Sequence, residues 1–350
     1  MRYVDLGTSG LSVSNICLGT MTWGRQNSQK DADRQLNYAL AKGINFVDTA
    51  EMYAIPPTAE TYGSTESIIG NWLARNPGRR KEIVLASKIA GNGLSWIRGG
   101  GDITGAAIVS SVDASLKRLQ TDYIDLYQLH WPNRNSPHFG KHWPGRLTFT
   151  DVDAGRNSEQ MLNILKGLST CIKAGKIRYC GLSDETPWGI NEYLRLSENY
   201  DLPRIVSIQN EFNLLHTKDW PYLVENCAMS GLAYLPWSPL AGGALTGKYM
   251  HGALPAGSRW TITQRNGLFR DTRLSHEAVA AYKSIADKHN MSLARLSLAW
   301  CNQVDGVTST IIGATSMAQL EEDISAFDIV LSEAALAEIM AVLQRYPMPF

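Results

Sequence analysis

Short apolar runs alternate with amphipathic stretches along nearly the whole chain. The opening RYVDL, GTSG and LSVSNICLG pattern as a β-hairpin running into a strand. Apolar strand candidates fall at 16–19, 44–48, 83–88, 124–130, 177–182, 205–209, 232–237 and 308–312. Between them lie segments of helical period, among them DADRQLNYALAKG, TESIIGNWLARN, SSVDASLKRLQ and MLNILKGLSTCIKAG. Glycine punctuates helix-to-strand turns at Gly43, Gly175 and Gly231. Residues 332–345 predict a last helix with Ser332 as N-cap.

Eight strands alternating with helices, without a break in composition, predict a (β/α)8 TIM barrel with an N-terminal β-hairpin, one domain over 1–350. An open doubly wound sheet would carry a glycine fingerprint in its first strand-to-helix turn. Here that turn is LGTMTWGRQNS, which lacks G-x-G-x-x-G. Two connections are long: 131–157 after strand 4 and 238–274 after strand 7. Loops of such length in a compact domain are usually functional or disordered. The first would overhang the barrel mouth and reads as a wall of the substrate pocket.

Composition narrows the partners. The 350 residues carry no formal net charge, so no basic excess points to nucleic acid or an anionic membrane. Five scattered cysteines without C-x-x-C argue against a disulfide framework and fit a reducing cytoplasm. MRYVDLGTSGLSVSN has no apolar core of a signal peptide, and no apolar run has the length of a spanning helix. A soluble cytoplasmic protein is the expectation.

Candidate chemistry gathers at strand ends. Strand 2 ends at Asp48, strand 3 at Lys88 and strand 4 at His130, with Tyr53 five residues past Asp48. In a parallel barrel these ends share the catalytic face. An acid, a phenol, an amine and an imidazole there make a proton-donating site. A free phenol is a weak acid at neutral pH, and a neighbouring ammonium lowers its pKa. Asp48 can hold Lys88 in place, and His130 can orient a bound carbonyl. The expectation is a general acid with a lowered pKa.

The motifs D-T-A-x-x-Y (Asp48 to Tyr53), A-S-K (Lys88) and D-L-Y-Q-L-H-W-P (125–132) resemble the tetrad motifs of the aldo-keto reductase superfamily. So do L-G-T-M-T-W-G, K-I-R-Y-C-G-L-S and G-G-A-L-T-G-K-Y, over essentially the whole chain. E-M-Y-A-I-P-P and I-G-N-W-L-A resemble its bacterial Tas-type branch. The resemblance implies a (β/α)8 barrel and NADP(H)-dependent reduction of aldehydes and ketones. It implies Tyr53 as proton donor, Lys88 and Asp48 as its tuning pair, and His130 as carbonyl orienter. Some barrels of the superfamily instead act as cofactor-sensing regulatory subunits, which is the alternative reading.

The later strand ends suit a nucleotide. Ser183 and Gln209 are partners for a carboxamide, and Trp237 can stack a flat ring. By resemblance they hold the nicotinamide; Gly19, Thr20, Met21 and Asp48 are further expected cofactor-binding residues. The family usually has Asn where this chain has Asp184, and an ionised Asp accepts but cannot donate. Ser183-Asp184 could alternatively cap a helix ahead of Thr186-Pro187. Ser238, Pro239, Leu240 and Gly242 are further expected cofactor-binding residues, and in the reductase reading the backbone amides of 242–248 approach the pyrophosphate. Gly242 to Lys248 matches the first positions of a P-loop, but Tyr249 stands where the magnesium-binding hydroxyl belongs, which argues against an ATPase.

A helix begins at Ser316, with Gln319 in a capping-box position. The resemblance places the adenosine 2′-phosphate near Gly313, Thr315, Gln319, Glu322 and Asp323, with Lys248 and Arg259 as the positive charges. Trp23, Tyr53, His130 and Trp131 are the expected substrate-pocket wall. His138 and His142 are four apart, but Pro137, Gly140 and the missing glutamate argue against zinc, so no metal is expected. The partner implied is a small carbonyl compound. Its identity and the oligomeric state leave no local pattern to read.

Overall fold

The computed structural model describes residues 1–262 and 268–350. Strands β1 (Tyr3–Asp5) and β2 (Ser12–Ser14) form an antiparallel hairpin. Eight parallel strands follow: β3 (Ile16–Gly19), β4 (Phe46–Asp48), β5 (Val84–Ile89), β6 (Ile124–Leu129), β7 (Ile177–Ser183), β8 (Ile205–Glu211), β9 (Ala233–Trp237) and β10 (Thr310–Ile312). Their spatial order is β10-β3-β4-β5-β6-β7-β8-β9. At the seam Tyr234 bridges Val307, and Thr308 N donates to Tyr234 O at 2.9 Å, so the sheet closes into the expected barrel.

Helices α1 (Gln29–Ala41), α2 (Ser64–Arg75), α3 (Gly105–Leu119), α4 (Ala154–Lys173), α5 (Pro187–Asn199) and α6 (Tyr222–Ser230) form the outer ring in chain order. They continue as the short α7 (Arg259–Ile262), then α8 (Arg273–Lys288), α9 (Leu293–Gln303), α10 (Met317–Ser325) and α11 (Glu333–Arg345). Their apolar faces pack on the outside of the barrel: Leu36, Ile69, Val112, Leu165 and Ile190 share one buried cluster with outward residues of the strands. Inside, Cys17, Phe46, Ala86, Leu126, Val206, Leu235 and Ile311 form a second cluster with Leu6, Leu11 and Val13 of the hairpin. The hairpin therefore plugs the N-terminal end and leaves the C-terminal ends as the open face. β5, β6 and β8 are buried throughout, and so are the polar residues they carry, Lys88, Gln128 and Gln209 among them.

Several boundaries differ from expectation. The second barrel strand starts at Phe46, two residues later than its apolar run. Asp153 caps α4, accepting from Arg156 N, so the long loop after β6 ends earlier than residue 157. Thr186, not Ser183 or Asp184, caps α5, because its hydroxyl reaches Gly189 N and Pro187 occupies the first helical position. The N-cap at Ser332 stands as expected. All five cysteines are free and buried. Among the described residues no helix is long and apolar enough to cross a membrane.

Candidate active site

The barrel register brings the four strand-end groups together. Gly19, Asp48 and Ala86 are neighbours across β3, β4 and β5, with Lys88 two residues beyond Ala86. Lys88 is fully buried, and its Nζ lies 2.5 Å from Asp48 Oδ2 and 2.9 Å from Thr49 O. That Nζ also lies 5.1 Å from the centre of the Tyr53 ring. The Tyr53 and His130 rings meet edge to face at 5.6 Å. His130 N donates to Ile89 O, which places the residue just past the end of β6.

Electrostatics here departs from the sequence expectation in one respect. Burial raises the Tyr53 hydroxyl above its ordinary pKa, and the Lys88 charge and hydrogen bond offset this only in part. Burial alone would depress Lys88, but the charge of Asp48, the Tyr53 phenol and the Asp48 hydrogen bond together outweigh it, so the ammonium is held. Burial, and then Lys88, keep His130 well below its usual value. The site therefore presents a neutral phenol, a fixed cation and a neutral imidazole. The phenol is not the lowered-pKa acid expected from its neighbour, because desolvation disfavours the phenolate more than Lys88 favours it.

A cavity of about 1430 Å³ opens above these groups. All the residues named from the sequence as a cofactor cleft line it, from Gly19, Thr20 and Met21 through Trp237–Leu240 to Asp323. Tyr53, His130 and Trp131 face it, whereas Lys88 sits beneath it. Trp131 lies over Gly91, where a Cβ would fall 2.1 Å from the indole nitrogen, and that nitrogen donates to Asn92 O. Trp23 is a correction. It is 1% exposed, its Nε1 donates to Gln35 Oε1, and it belongs to the core because the chain after β3 turns inward against α1.

The aldo/keto reductase family model matches residues 15–344. The chain belongs to the aldo/keto reductase family. It is 44% identical to Protein tas of Escherichia coli K12, over 100% of this chain and 99% of that protein. It is 32% identical to the uncharacterized oxidoreductase YrpG of Bacillus subtilis, over 96% and 94% of the two chains. A probable voltage-gated potassium channel subunit beta of Arabidopsis thaliana is 31% identical, over 99% and 98%.

Within this barrel, the loop after β6 folds over the cleft and touches its far side. His138 Nδ1 is 3.4 Å from Asp184 Oδ1, and Phe139 stacks on Trp237 with centroids 5.8 Å apart. Asp184 also accepts from Trp237 Nε1 at 3.1 Å. Burial raises the Asp184 carboxyl well above its ordinary value, with the Trp237 hydrogen bond opposing. Burial thus favours the neutral carboxyl, the form that can donate as well as accept. His142 turns elsewhere, to Phe350 O at 2.9 Å, so the two histidines diverge.

At the far end of the cleft, Ser316 caps α10 through Gln319 N. The Gln319 side chain does not close a capping box on Ser316. It accepts instead from Thr315 N and Oγ1. Burial, then Glu322, raise Asp323 to about 7, with Lys248 opposing. Burial lowers Lys248, and the charge of Asp323 compensates only in part. Burial and Arg270 lower Arg259 to about 10.

Three supporting groups escaped the sequence reading. Gln128 of β6 donates to Asp48 Oδ1 at 3.2 Å from inside the barrel. Glu51 is buried, receives Arg98 at 2.7 Å and Ala90 N at 2.6 Å, and ties the loop bearing Leu94 and Trp96 to the one bearing Tyr53. Arg134 binds Glu185 and stacks over Trp188, anchoring the start of the long loop. Gln128 carries the one signal available, an amide inside the apolar run IDLYQL.

Proposed function

We propose that the protein is an NADP(H)-dependent oxidoreductase that reduces aldehyde or ketone carbonyls to alcohols. The carrying observation is the quartet at the closed end of the cleft: the Tyr53 phenol against the Lys88 ammonium, with Asp48 2.5 Å behind it and His130 alongside. The cleft's chemistry fits a nicotinamide nucleotide. Trp237 offers an indole face, Ser183 and Gln209 offer polar atoms beside it, and Lys248 and Arg259 offer cations further along. When bound, a reduced nicotinamide supplies the hydride.

The chain's own groups handle the proton. A carbonyl oxygen seated between Tyr53 and His130 accepts a hydrogen bond from the neutral imidazole. As negative charge develops on that oxygen, the Tyr53 hydroxyl gives up its proton. The buried Lys88 ammonium stabilises the phenolate left behind, at a distance where low dielectric strengthens the interaction. Asp48 holds Lys88 in position. General-acid assistance of this kind contributes roughly 10²–10⁴-fold.

Tyr53→Phe is expected to lower carbonyl reduction at least about 100-fold while NADPH binding stays near the parental value. The checks are steady-state NADPH oxidation over a carbonyl panel and a fluorescence titration of the coenzyme. A Phe variant that turns over at the parental rate overturns the mechanism. Tight NADPH binding by the parent without turnover on any carbonyl would favour a sensor role, the reading to which the similarity with a potassium channel subunit beta points.

A further inference from the structure

We propose that Gln128 is a positioning residue that sets which atom of Gln209 faces the nicotinamide end of the cleft. The inference rests on the cofactor reading above. It starts from Asp48, whose carboxylate can only accept. Its Oδ2 takes Lys88, and its Oδ1 accepts from Gln128 Nε2 at 3.2 Å and Gln209 Nε2 at 3.0 Å. Both amides must therefore present their NH2 groups to Asp48. Gln209 Nε2 also lies 3.2 Å from Gln128 Oε1, which engages its second hydrogen.

The terminal torsion of a glutamine side chain is soft and roughly two-fold. Turned over, Gln209 would set its oxygen against two acceptors, Asp48 Oδ1 and Gln128 Oε1. In the orientation found, Gln209 Oε1 accepts no hydrogen bond among the described residues, and Gln209 lines the cavity. Ser183 is its register partner on β7 and lines the same wall. An open acceptor beside a hydroxyl suits a primary carboxamide, whose NH2 needs the first and whose C=O needs the second.

The fold makes room for this link. Gln128 on β6 must reach Gln209 on β8 across β7. At that level β7 carries Gly181, where a Cβ would stand 3.3 Å from Gln128 Cγ and 2.3 Å from Ser207 Oγ. Gln128 is fully buried. An apolar side chain would fill the position without desolvating an amide, so packing alone does not call for glutamine.

The test compares NADPH with 2′-phospho-ADP-ribose, a fragment lacking nicotinamide, by tryptophan fluorescence titration of the full chain. Gln128→Met is expected to weaken NADPH about tenfold, roughly the worth of one hydrogen bond, and to leave the fragment unchanged. The KM for NADPH should rise while that for the carbonyl holds. A merely structural role would weaken both ligands together, and that result overturns the inference, as does unchanged NADPH binding. Gln128→Glu, which keeps the side chain's size but sets a second carboxylate against Asp48, carries the same test if the Met variant does not fold. Absence of NADPH binding by the parent overturns the cofactor reading and this inference with it.

Discussion

The Tyr53 hydroxyl lies beside an ammonium, which favours its ionised form, and in a buried niche, which disfavours it; the niche has the larger effect. The pH dependence follows from that balance. An acid must be protonated to act, and its protonated fraction falls only as pH rises through its pKa in the folded protein. Since that value is raised, the turnover rate with NADPH is expected to show no alkaline decline below the ordinary phenol value of 10.0. No acid limb is expected near 6.5 either, since His130 stays neutral well below it. A kcat profile over this range checks both; a decline centred near neutrality would contradict the raised value. At this scale the quartet was legible in sequence because polar groups ending apolar strands stand out. The surroundings of Tyr53 were not, since Ile55, Pro56, Pro57, His138 and Phe139 line the same cavity from two loops distant in sequence.

Elements add a second layer of control. The loop after β6 carries substrate-side groups but rests on the opposite wall through His138–Asp184 and Phe139–Trp237. Phe139→Ala should release that rest. An aromatic pair contributes about 0.5–1.5 kcal/mol, so the carbonyl KM is expected to rise by about three- to tenfold with little change in kcat. Steady-state kinetics reads this, and an unchanged KM would show that the stacking does not shape the pocket. The loop's length and place were readable from the gap between two periodic segments. Which wall it touches was not, because Phe139 and Trp237 are far apart along the chain. Trp23 shows the converse: it stands next to pocket residues in sequence, yet the turn after β3 sends it to Gln35.

Across the whole molecule, the helix ring is held at a spacing that small residues set. Gly70 of α2 faces α3, and a Cβ there would stand 2.1 Å from Arg118 O and 2.8 Å from Leu119 C. Replacing a helical glycine with alanine gains about 1 kcal/mol in propensity. Overpacking against a backbone that cannot rotate away costs about 1–3 kcal/mol. Gly70→Ala is therefore expected to destabilise the fold by up to about 2 kcal/mol, read as a lower midpoint in urea. A raised midpoint would mean that α2 and α3 shift apart freely. The hairpin plug is a similar whole-molecule feature. Its sequence reads only as two short strands, and its role appears when Leu6, Leu11 and Val13 meet Phe46, Ala86 and Leu126.

The sequence by itself determined the order of strands and helices, the family and the polar groups at the barrel mouth. Each of these depends on local period or on residue types at short spacing. Tertiary structure decided the direction of the Tyr53 shift, the burial of Trp23, the seat of the long loop and the amide link through Gln128. Those depend on what lies across the barrel: Asp48 and Gln209 share a hydrogen bond although 161 positions separate them. No periodicity spans such a distance, and only closing the sheet brings the two side chains together.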